Sequence, residues 1–87
     1  MDTNVGRPVW SFDQPALYQI CVQGKVPQMR RDLLDGMSVT VVQQHGGDPM
    51  AVLVGELADQ VALEGVLRTL FEMHLTVLSV SRIRELS

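Results

Sequence analysis

At 87 residues the chain makes one domain, with no room for a second core. A hydrophobic content of 46% and a mean hydropathy of +0.13 exclude a disordered chain. A net charge of −3 and a pI near 5.1 exclude the clustered positive charge that phosphate binding needs, so no nucleic-acid partner is expected.

Residues 1–16 form an irregular arm, with two prolines, a glycine and few apolar residues. Trp10 and Phe12 lie in it and are two of only four aromatic residues. The plain reading is that they tuck against the domain or a neighbouring subunit; a recognition role is the alternative. The start Met1-Asp2-Thr3-Asn4 shows no apolar segment behind a basic cluster, so no secretory signal is expected. No apolar run is long enough for a membrane span. A single cysteine, Cys21, makes no internal disulfide, and the cytoplasm is the default compartment.

Residues 17–87 form the domain. In YQICVQG, Tyr18, Ile20 and Val22 alternate with Gln19, Cys21 and Gln23, the period of two of a strand with one buried face. KVPQMRRDLLDG then predicts a short helix of two or three turns. Pro27 stands at its first position, Met29, Leu33 and Leu34 take helical spacing, and Gly36 stops it. MSVTVVQQ is a second strand, His45 to Pro49 a turn, and MAVLVGEL the returning third strand. That third strand is apolar on both parities, as a strand covered on both faces would be.

A helix is predicted from Asp59 to Met73. The Asp59 carboxylate suits the free amides of the first turn and the positive end of the dipole. Leu63, Val66, Leu67 and Leu70 make an apolar stripe, opposed by Glu64, Arg68 and Glu72. Gly65 lies off the stripe; a mid-helix glycine costs about 0.5–1 kcal/mol against alanine, which suggests a close neighbour there. The helix must reverse at His74, because Leu75-Thr76-Val77-Leu78 already approaches the last strand, TVLSVSRI. That puts His74 at positive φ, as a terminator and not a metal ligand or base.

The order β-α-β-β-α-β, with right-handed crossovers joined by a hairpin, predicts an α+β, ferredoxin-like sandwich: a four-stranded antiparallel sheet, order 4-1-3-2, with two helices on one face. The other face is then bare. With Tyr18, Ile20, Val22, Val39, Val41, Leu53, Leu57, Leu78 and Val80 towards the helices, it carries Gln19, Cys21, Thr40, Val42, Val52, Val54, Val77 and Ser79. Such a surface is too aliphatic for water, and a homodimer burying Val42, Val52, Val54 and Val77 is expected.

The string G-E-L-x-D-Q-x-A-L-x-G-V-L-x-x-L followed by L-x-V-L-S-V, with Tyr18-Gln19-Ile20 and Gly36-Met37-Ser38-Val39-Thr40, resembles a family of small uncharacterised bacterial proteins with ferredoxin-like folds. The resemblance covers Tyr18 to Ile83 and is most specific at Asp59-Gln60. It implies the fold and brings no activity with it. The chain departs from the pattern at His74, where glycine is usual.

Chemistry-bearing motifs are missing. Gly46-Gly47 is a turn pair followed by Asp48 and Pro49, not a phosphate loop. His45, His74 and Cys21 have no ligand-like spacing, so neither metal nor cofactor is expected. Cys21 reads as a small hydrophobe and Asp59 as a cap, which makes catalysis the lesser reading. Three function classes follow. The first is a non-catalytic dimeric module that regulates or scaffolds a protein partner. The second is a small-molecule sensor resembling ACT domains, for which Gly24-Lys25-Val26-Pro27 is a poor glycine-rich loop. The third is a cofactor-free enzyme of the dimeric α+β barrel type, with a pocket lined by Cys21 and Thr40.

Overall fold

Alternation, capping and turn residues place six regular elements among the described residues. The computed structural model describes residues 15–44 and 46–85; the expectations for Trp10, Phe12 and His45 lie outside the described residues. Strand β1 is Ala16–Gln23, followed by a 3-10 segment, Gln28–Leu34. Strands β2 (Ser38–Val42) and β3 (Met50–Leu57), helix α1 (Gln60–Glu72) and strand β4 (Thr76–Glu85) complete the order. The four strands form one antiparallel sheet, β2-β3-β1-β4, which is the expected 4-1-3-2 read from its other edge. Strand β1 begins two residues before the predicted Tyr18, so Ala16, assigned above to the arm, is fully buried in the sheet.

One face of the sheet carries the core. Ala16, Tyr18, Ile20 and Val22 of β1 stand opposite Leu57, Gly55, Leu53 and Ala51 of β3. Leu63, Val66 and Leu70 of α1 close over them, joined by Val26, Leu34 and Met37 from the β1–β2 connection. Each fully buried leucine or isoleucine contributes about 1.5–3 kcal/mol relative to exposure. Gly55 is required by this packing: a Cβ there would lie 2.9 Å from the Met37 Cα, where the chain crosses β3 to begin β2.

The expected first α-helix is a correction. Residues Gln28–Leu34 form a 3-10 segment of seven residues, so among the described residues there is one α-helix and not two. Pro27 is extended (φ −59°, ψ 134°), no side chain caps the segment, and Asp35 (φ 57°) and Gly36 (φ 77°) stop it in left-handed geometry. Seven residues without a cap cannot recover the cost of nucleating an α-helix, and a tighter turn serves to drive Leu34 into the core.

The second helix follows its predicted bounds. Asp59 is extended (φ −163°), and its Oδ1 accepts from the Ala62 amide at 2.8 Å. At the other end His74 has φ 63°. The His74 amide donates to the Phe71 carbonyl at 2.9 Å and the Leu75 amide to the Leu70 carbonyl at 3.2 Å. Those two bonds are the Schellman pattern. The close neighbour expected at Gly65 is absent: the residue is exposed, and an added Cβ would meet nothing within 4 Å.

Strand β4 reverses an expectation about its faces. Val77 stands opposite Val22 and packs against the core, whereas Leu78 is exposed. Two register shifts against β1 explain it, one between the partners of Cys21 and Val22, the other between those of Leu17 and Tyr18. Each inserts one residue, Leu78 or Ile83, and an inserted residue inverts the parity beyond it. Val77 is therefore misplaced in the expected open-face set. Val41 and Val80 hold the helix-side register, yet both stand substantially exposed, because they belong to the two edge strands.

Candidate functional site

The face of the sheet opposite α1 is built of rows that run across the strands. One row reads Ser79, Cys21, Val52, Thr40; the next reads Ser81, Gln19, Val54, Ser38. Towards one end stand Thr76, Gln23, Met50 and Val42, and towards the other Arg84, Leu17 and Glu56. The strand alternation that sends Ala51, Leu53 and Leu57 inward sends Met50, Val52 and Val54 outward, so β3 forms an apolar ridge. Met50, Val52 and Val54 are half-buried by their neighbours, as are Leu17, Gln19 and Cys21.

The ridge is bordered by short polar side chains whose hydrogen bonds are local. Ser38 Oγ donates to the Val54 carbonyl at 3.0 Å. Gln19 Nε2 lies 3.9 Å from Cys21 Sγ, and Gln23 Nε2 donates to Asp48 Oδ2 at 3.3 Å. Ser38, Gln19 and Gln23 thus bond to neighbouring groups, and the face is of mixed polarity.

Of the four predicted interface residues, the structure brings Val42, Val52 and Val54 together on this face and places Val77 on the other. Cys21 and Thr40 flank Val52 on either side. They line neither of two grooves on the helix side. One groove of about 380 Å³ lies between the 3-10 segment and α1, lined by Asp32, Leu33, Asp35, Ala62, Gly65, Val66 and Thr69. The other, of about 320 Å³, runs along α1 past Gln60, Val61, Leu63, Glu64 and Leu67. Both are shallow. Among the described residues no group of three His, Cys, Asp or Glu side chains could hold a metal ion, and no helix is long and apolar enough to cross a membrane.

Leu17 and Met50 belong to the ridge and were missed in the sequence. Leu17 carries the parity of Gln19 and Cys21, and starting the strand at Ala16 would have found it. Met50 carries the parity of Val52 and Val54 in the same way.

Among the described residues, a four-stranded antiparallel sheet with one α-helix on one face and an apolar ridge on the other defines a small α+β domain. Residues 17–81 match the domain of unknown function DUF8691, and the chain belongs to that family. Comparison with curated proteins and with solved structures returns no match.

Proposed function

We propose that this domain is a non-catalytic dimeric module that regulates or scaffolds a protein partner, and that the bare sheet face is its self-association surface. It is read as a ferredoxin-like sandwich of the bacterial type, acting in the cytoplasm, with its first helix reduced to the 3-10 segment. The observation that carries the proposal is the ridge of Met50, Val52 and Val54, edged by Val42, Leu17 and Cys21 on a face that no helix covers among the described residues.

Val42, Val52 and Val54 are already partly shielded, so completing their burial contributes on the order of 2 kcal/mol, against about 1.5 kcal/mol for one fully transferred valine. Association costs about 4 kcal/mol or more in lost freedom. The three valines alone do not suffice, and Leu17, Cys21 and Met50 must be buried with them.

Sedimentation of the full chain at high micromolar concentration tests this. The expected result is a dimer that Val52→Glu converts to monomer, with a lower melting temperature. A wild-type monomer, or a Val52→Glu variant of unchanged mass, would overturn the open-face reading.

A further inference from the structure

The 3-10 segment ends in the pair Asp35-Gly36, where the chain turns sharply towards β2. Both residues have positive φ, 57° and 77°, and the Met37 amide donates to the Leu34 carbonyl at 3.1 Å. This is the form of a type I′ turn, in which aspartate followed by glycine is a favoured pair. Both residues are exposed, and a Cβ built on Gly36 would meet nothing within 4 Å. The space beside Gly36 is open, so the backbone angles are what keep its amide nitrogen from the Asp35 carboxyl.

Those angles hold the two groups well apart. With ψ at 36°, the Gly36 nitrogen stands on the opposite side of the Asp35 Cα–C bond from Cβ. Closing a five-membered ring between that nitrogen and Cγ needs nitrogen and Cβ eclipsed. Ring closure therefore waits for the turn to open, and exposed segments open locally at free energies well below that of global unfolding. The other aspartates among the described residues each lack a requirement. Asp32 is followed by Leu33, whose side chain crowds the attacking nitrogen. Asp48 is followed by Pro49, which has no N–H. The Asp59 carboxylate is held by the Ala62 amide at 2.8 Å.

We infer that Asp35-Gly36 is a site of spontaneous isomerisation to isoaspartate, gated by opening of the turn. In the open form the Gly36 nitrogen attacks Cγ of the protonated Asp35 carboxyl. An N–Cγ bond forms, the amide proton and the carboxyl hydroxyl leave as water, and a succinimide results. Water then opens the ring at either carbonyl, giving aspartate again or isoaspartate, with no net gain or loss of atoms. Isoaspartate runs the main chain through Cβ and Cγ, which inserts one carbon between Leu34 and Met37. Both of those residues are buried, and Met37 is the one that Gly55 accommodates. The modification therefore loosens the packing of the segment over the sheet, and it does not depend on the open-face reading.

The test ages the full chain at neutral pH, native and in unfolding urea, and maps the peptides. Isoaspartate is expected at residue 35 in both, at unchanged mass, and to form about tenfold more slowly in the native chain. Asp35→Asn supplies a second readout, because the same attack then expels ammonia and leaves a new carboxylate that ion exchange detects. A native chain that reacts as fast as the unfolded one would overturn the gating. A native chain still unmodified after the unfolded one has converted, or equal accumulation at Asp32 or Asp59 in the native chain, would overturn the site.

Discussion

His74 shows how far a single backbone angle can be read from neighbouring residues. The helix and its cap end at Met73 and the chain heads for β4 from Leu75, so the reversal has one residue to use. That residue takes φ 63°, and its amide and the next one satisfy the carbonyls of Phe71 and Leu70. A left-handed non-glycine residue costs about 1–2 kcal/mol, and glycine removes that cost while adding freedom to the unfolded chain. His74→Gly is therefore expected to hold stability or raise it by up to about 1 kcal/mol in urea unfolding. A loss of more than about 1 kcal/mol would show that the imidazole has work beyond ending the helix.

At the scale of elements, the two helical segments differ in their first residues. Helix α1 has Asp59, whose carboxylate satisfies the Ala62 amide at 2.8 Å, and thirteen residues over which to recover nucleation. The 3-10 segment has Pro27 in extended geometry, no capping side chain and seven residues. Asp59→Ala is expected to cost about 1 kcal/mol, read as a lower urea midpoint at unchanged slope, and Asp59→Ser should restore most of it. An Asp59→Ala variant as stable as wild type would mean that packing alone holds the first turn. Strand β4 is the other instructive element. Its composition is apolar at both parities, which leaves the choice of buried face to the register shifts against β1.

For the molecule as a whole, the 3-10 segment still contributes to the core despite its length. Leu34 is fully buried while its neighbour Leu33 is 54% exposed. Leu34→Ala should cost about 2–5 kcal/mol by thermal or urea unfolding. Leu33→Ala should stay within about 0.5 kcal/mol. Equal effects would mean that the segment does not anchor the sheet. The β3 ridge of Met50, Val52 and Val54 remains outside this core, on the sheet face opposite α1.

The amino-acid sequence by itself determined the order of elements, the strand order, the cap at Asp59 and the terminator at His74. All of these rest on local spacing: alternation of two, stripes of three and four, and turn residues between them. It also determined the outward set Val42, Val52 and Val54, because β2 and β3 keep an unbroken register across their hairpin. Only the tertiary structure decided the rest. The form of the first helical segment depended on backbone angles at Pro27 and Asp35 that no apolar period records. The faces of Val77 and Leu78 depended on a bulge, which arises when β1 and β4 meet far apart in the chain. Gly65 carried no information about packing until the space beside it was known. A residue's spacing is local and legible; the partners of β1 on β4 lie more than fifty residues away in the chain.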